Sequence, residues 1–96
     1  MSERLRRSLL FLPGSNRKMI QKAVTLEVDG IIIDLEDAVA PSRKTSAREL
    51  AAAALREMDF GGRERTVRIN PLTTEHGRSD LMAVAAAGPD AVVIPK

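Results

Sequence analysis

Residues 30–41 read Gly-Ile-Ile-Ile-Asp-Leu-Glu-Asp-Ala-Val-Ala-Pro, and this stretch decides the fold. Ile31, Ile32 and Ile33 are β-branched and run without polar interruption into Asp34, Glu36 and Asp37. An unbroken apolar run of this length suits a strand buried on both faces, as in a parallel sheet covered by helices. The acids follow at its C-terminal end, which is where open α/β sheets and (β/α)₈ barrels bind their ligands. The stretch is therefore one wall of a candidate site. Arg68, at the end of the next strand-like run, Thr66-Val67-Arg68-Ile69-Asn70-Pro71, is the other.

Working outward, the chain alternates. Ser8–Leu12 is a short apolar run closed by Pro13-Gly14, a strand followed by a turn. Ser15 or Asn16 can cap a helix in which Met19, Ile20, Ala23 and Val24 recur at helical spacing. Pro41-Ser42 opens the clearest helix, with Ala47, Leu50, Ala51, Ala54, Leu55 and Met58 as its apolar stripe. Arg43, Lys44, Arg48, Arg56 and Glu57 lie on the opposite face, and Gly61-Gly62 ends it. Arg65–Asn70 is a third strand and Leu72–Arg78 a polar loop. Ser79 then starts a shorter helix carrying Leu81, Met82, Val84 and Ala85, and Ala91–Ile94 is a fourth strand. The order β-α-β-α-β-α-β predicts an α/β fold with parallel strands joined by crossovers. No low-complexity segment or linker interrupts it, so residues 1–96 are expected to form one domain, with the first residues frayed.

Composition narrows the function. There are 96 residues, no cysteine, two aromatics and a formal net charge of +2 with the basic residues scattered. Thiolate metal sites and disulfides are excluded. With neither a basic patch nor stacking aromatics, nucleic acid is not an expected partner. The apolar run Leu9–Leu12 is too short for a signal-peptide core or a membrane span, so the expectation is a cytoplasmic protein.

In a parallel sheet all four strand ends share one rim. Gly14-Ser15-Asn16, then Asp34, Glu36 and Asp37, then Arg68 and Asn70, then Lys96 would meet there. Such a rim suits a small acidic substrate, because arginine grips a carboxylate through two parallel hydrogen bonds. The acids can hold that arginine or help bind a divalent cation. Plainer readings stand beside these. Residue type alone favours Asp34 as an internal hydrogen-bond acceptor. Glu36 and Asp37 can simply pair with Arg68 and Lys96. Arg68, alternating with Val67 and Ile69, can be a solvated outer-face residue. His76, beside Gly77 in a polar loop, reads as a surface residue. Gly14–Asn16 at a helix start can offer backbone N–H groups to a phosphate, although Pro-Gly-Ser-Asn-Arg-Lys matches neither common phosphate-loop pattern.

Four stretches together carry a resemblance: residues 7–23, RSLLFLPGSNRKMIQKA; residues 29–48, DGIIIDLEDAVAPSRKTSAR; residues 67–72, VRINPL; and residues 91–96, AVVIPK. In this order they resemble the opening of the citrate lyase β-subunit family. The resemblance implies the first half of a TIM (β/α)₈ barrel, usually in a homo-oligomer. It also implies a Mg²⁺-dependent carbon–carbon lyase or aldolase. Its substrates would be 3-hydroxyacyl thioesters, such as citryl-, malyl- or citramalyl-CoA or the acyl-carrier-protein equivalent. By this resemblance Arg68 binds the substrate carboxylate, and Glu36 and Asp37 are the acidic catalytic pair near the metal's water shell. Gly14, Ser15 and Lys18 line the entrance for the CoA or carrier arm. The direct Mg²⁺ ligands, a Glu and an Asp on the fifth and sixth strands, are expected beyond Lys96. A full barrel needs about 200–250 residues. The 96 residues are thus expected to be a piece of a longer enzyme, a half-barrel completed by another chain, or an inactive remnant.

Overall fold

The computed structural model describes residues 8–95. The strands are β1 (Leu9–Pro13), β2 (Gly30–Asp34), β3 (Glu64–Arg68) and β4 (Ala91–Val93). Between them run α1 (Arg17–Ala23), α2 (Lys44–Glu57) and α3 (Glu75–Ala87). A 3₁₀ turn, Pro41–Arg43, leads into α2. The strands lie in chain order, β1-β2-β3-β4, and every neighbouring pair is parallel.

Strand alternation explains where the core sits. Leu12, Ile31, Ile33 and Val67 project to one face and pack with Ile20 and Ala23 of α1, Ala47, Ala51, Ala54 and Leu55 of α2, and Val84 of α3. The small residues of α2 let that helix lie close to the sheet. On the other face Leu9, Phe11 and Val93 are exposed, and Ile32 is half-buried. The isoleucine run is thus buried on one face only among the described residues, which corrects the expectation of helices on both. A sequentially ordered parallel sheet with its helices on one face is the arrangement of the first strands of a TIM barrel. In a doubly wound sheet the order would reverse.

Asn16 caps α1, its Oδ1 accepting from the Met19 N–H at 3.0 Å. The third helix begins at Glu75, four residues before Ser79, so the last four residues of the expected loop 72–78 are helical. Thr74 is the reason: its hydroxyl accepts from the Gly77 N–H at 3.0 Å and caps the first turn. Gly77 is what lets the turn fit. A Cβ there would lie 2.0 Å from the Pro71 carbonyl oxygen, so only glycine tolerates this approach. The helix stops at Gly88, whose φ of 73° is the left-handed conformation common just after a helix. Among the described residues no helix is long and apolar enough to cross a membrane. The expected fraying of residues 1–6 and the rim position of Lys96 fall outside the described residues.

Candidate functional site

At the C-terminal ends of the strands, Pro13, Asp34, Arg68 and Val93 are lateral neighbours at one level of the sheet. Neighbours in register share a face, so Asp34 and Arg68 both belong to the face without helices. There they form a forked pair: Arg68 Nε donates to Asp34 Oδ1 and Nη2 to Oδ2, both at 2.9 Å. The carboxylate also accepts from two backbone N–H groups of the turn that follows it, Glu36 to Oδ1 at 3.0 Å and Ala38 to Oδ2 at 2.8 Å. Burial pushes the Asp34 carboxyl up, but the hydrogen bonds from Arg68, Glu36 and Ala38 outweigh it and hold the group below its ordinary value. The bond to Asp34 holds the Arg68 guanidinium more firmly protonated still.

Glu36 and Asp37 do form ion pairs with Arg68, but its closest carboxylate is another. Its hydrogen-bonded partner is Asp34, the residue for which an internal role was the plainer reading. Glu36 and Asp37 stand further off, at 3.9 Å from Nε and 3.7 Å from Nη2. Asp37 is 79% exposed and Glu36 22%, so both carboxylates reach solvent beside the guanidinium. Arg68 itself is 27% exposed, and among the described residues its Nη1 has no hydrogen-bond partner. Phe11 of β1 lies beneath, with the guanidinium carbon 5.8 Å from the ring centroid. An arginine clamped along one edge, with one nitrogen uncommitted, is pre-organised to receive a further acceptor.

The Gly14–Lys18 segment is built differently from a phosphate cradle. The Gly14 N–H donates to the Asp34 carbonyl at 2.8 Å and the Asn16 N–H to Pro13 at 3.1 Å, so both are spent within the protein. Gly14 is buried, and a Cβ on it would lie 2.5 Å from Leu35 Cδ2. Its role in the structure is to let β1 close onto the acidic turn. Ser15 is half-buried and Lys18 exposed on α1.

Four polar residues escaped the sequence reading. Lys44, assigned to the outer face of α2, instead turns back so that Nζ donates to the carbonyls of Leu35 at 3.2 Å and Glu36 at 2.9 Å. Arg48, assigned to the same face, pairs through Nε with Asp80 at 2.8 Å. Asp80 is fully buried and accepts from both the N–H and the Nδ2 of Asn70, at 3.0 and 2.6 Å. His76, expected at the surface, is half-buried with Nδ1 3.1 Å from Arg48 Nη2. Starting α3 at Ser79 hid this group. Once the helix begins at Glu75, Gly77, Asp80, Leu81 and Val84 fall at helical spacing on its inner face.

Among the described residues no three acidic, histidine or cysteine side chains are grouped so as to hold a metal ion. Asp34 is saturated by its four donors, and Glu36 and Asp37 alone are too few oxygen ligands for a dedicated magnesium site.

Residues 7–96 match the family model described as HpcH/HpaI aldolase/citrate lyase. Over 90 residues, 94% of this chain, it is 50% identical to a (3S)-malyl-CoA thioesterase of Cereibacter sphaeroides. It is 48% identical over 93 residues, 97% of the chain, to citrate lyase subunit beta of Haemophilus influenzae. In each case the match spans 32% of the relative's length. Among solved structures it is similar to the CitE protein of Mycobacterium tuberculosis in complex with magnesium and acetate. There the TM-score is 0.76 at 33% identity, covering all of this chain and 39% of that one. A CitE complex with magnesium, acetoacetate and coenzyme A gives a TM-score of 0.71 at 32% identity, covering 94% of this chain and 32% of that one. With the family's match running from residue 7 to residue 96, the chain belongs to the HpcH/HpaI aldolase/citrate lyase family.

Proposed function

We propose that this chain supplies the carboxylate-binding wall of a carbon–carbon lyase acting on a 3-hydroxyacyl thioester that also carries a free carboxylate. One observation carries the reading: Arg68 stands at the C-terminal rim with two nitrogens fixed by Asp34 and Nη1 uncommitted. A substrate carboxylate meeting that nitrogen would find a donor whose orientation is already set. Cleavage of such a thioester between the hydroxyl-bearing carbon and its neighbour yields a 2-oxo acid and a shorter acyl thioester. The carboxylate of the oxo acid lies next to the carbon where the new carbonyl forms. Arg68 would neutralise it throughout the reaction, with the Phe11 ring lying below the guanidinium. Glu36 and Asp37, solvent-facing and close to the guanidinium, would be the acidic pair beside the bound carboxylate.

Magnesium dependence belongs to the same proposal and rests on the magnesium-bound relatives. The described residues do not themselves fit the ion as direct ligands. Lining of a CoA or carrier-protein arm by Gly14, Ser15 and Lys18 and self-association rest on the family resemblance, and cytoplasmic residence rests on the shortness of the apolar run Leu9–Leu12.

A second reading is favoured by the 50% identity to a (3S)-malyl-CoA thioesterase. The same carboxylate grip would then serve hydrolysis of the thioester and leave the carbon chain intact. The two are separated by product analysis. Malyl-CoA is incubated with magnesium and the protein as its own gene encodes it. Acetyl-CoA with glyoxylate indicates the lyase, malate with free CoA the thioesterase, and turnover of neither malyl- nor citryl-thioesters refutes both.

A further inference from the structure

A carboxylate removed completely from water costs several kcal/mol unless it is fully paired, and an apolar residue of similar size is often more stabilising at such a place. Asp80 is such a carboxylate, on the inner face of α3. Its bond to Arg48 ties α3 to α2, as any helix–helix tie would. Its two bonds to Asn70 lead elsewhere. Asn70 follows Arg68 by two residues, and its Nδ2 also donates to the Leu35 carbonyl at 2.9 Å. Leu35 lies between Asp34 and Glu36, and its own N–H donates to the Arg68 carbonyl at 2.8 Å. Lys44 holds the same Leu35 carbonyl and that of Glu36 from the other side. From one buried carboxylate, the bonds to Asn70 therefore lead to the backbone two residues beyond Arg68 and, through Nδ2, to the Leu35 carbonyl next to Asp34.

We propose that Asp80 is a positioning residue for the rim: through Asn70 it sets the backbone on which Asp34 and Arg68 meet, and so fixes the direction of the guanidinium. This rests on the reading of Arg68 as the carboxylate-binding group and adds the element that aims it. Arg48 completes the support by holding the second carboxylate oxygen in place, and His76 Nδ1 lies against Arg48 Nη2.

The test reads Arg68 directly. The protein as its own gene encodes it is labelled with ¹⁵N-arginine, and the exchange of the Arg68 Nε–H with water is measured by NMR. Asp80→Asn is compared with the parent and with Val84→Ala, which cuts into the core of the same helix without touching the network. Exchange at Arg68 rising about tenfold in Asp80→Asn and unchanged in Val84→Ala is the expected result. Equal exchange in Asp80→Asn and the parent, or an equal rise in both variants, overturns the proposal. If Asp80→Asn does not fold, Asn70→Ala takes its place. It keeps the backbone N–H to Asp80 and the Arg48 pair but loses the link to Leu35. Pyruvate with magnesium is titrated into the same samples. A parent protein that fails to bind pyruvate refutes the functional reading of the rim, while the exchange data still decide the role of Asp80.

Discussion

Replacing Asp34 with alanine removes a carboxylate that is 3% exposed and accepts four hydrogen bonds, two of them from Arg68. Breaking a buried ion pair from one side costs about 3–5 kcal/mol, because the remaining partner is left desolvated. Here the remaining partner is 27% exposed and regains water, which lowers the figure. Ala38 is also exposed, so water can take over one of the orphaned N–H groups. The expected loss is about 2–3 kcal/mol, measured as a shift of the urea midpoint at constant slope. In an Arg68→Ala background the same change should cost less by about 1–2 kcal/mol, since the pair term is already gone. The lowered carboxyl adds a pH signature. The stability it contributes is present above its ordinary value of 3.8 and is lost as the pH falls through its depressed native value. Arg68 is charged in both folded and unfolded states at neutral pH, so it adds no slope there. A loss under about 1 kcal/mol, or full additivity with Arg68→Ala, would refute the argument that this pair organises the rim.

Two glycines separate backbone from side-chain crowding. Gly77→Ala sets its Cβ against the Pro71 and Asn70 carbonyls, so the loop or the helix start must move; a loss of about 3 kcal/mol or more is expected in chemical denaturation. Gly14→Ala presses mainly on the end of the Leu35 side chain and should cost only about 1–2 kcal/mol. Equal losses at the two sites would contradict this ordering. Asn16→Ala removes the cap of α1 and should cost about 1 kcal/mol, with faster amide exchange confined to that helix.

The alternation of apolar runs and helical stripes carried most of the architecture. The Ile31–Ile33 run and the Ala-rich stripe of α2 stand where the sequence placed them, while the strand through Val67 runs Glu64–Arg68 and leaves Ile69 and Asn70 beyond its end. Which face would lack helices was not legible, because a run apolar at every position looks the same whether one face or both are covered. The rim was legible as a gathering of Asp34, Glu36, Asp37 and Arg68, since residues at corresponding strand ends must meet in a parallel sheet. The pairing within it was not. Asp34 and Arg68 are lateral neighbours by register, and register is a property of the assembled sheet. The Asp80 network depends on α3 beginning at Glu75, a turn before Ser79. Gly77 looked like a loop residue because glycine disfavours helix interiors, but here its missing side chain is what allows the helix to pack on Pro71.

The central claim is that Arg68 receives a substrate carboxylate. Calorimetric titration of pyruvate, with magnesium present, into the parent protein and into Arg68→Ala tests it most directly. Asp34→Asn serves as a variant that keeps the arginine but loosens its hold. Pyruvate binding is expected to weaken at least about tenfold, ~1.4 kcal/mol, in Arg68→Ala, with Asp34→Asn between it and the parent. Equal affinity in the parent and Arg68→Ala would contradict it, and the rim charges would then be structural.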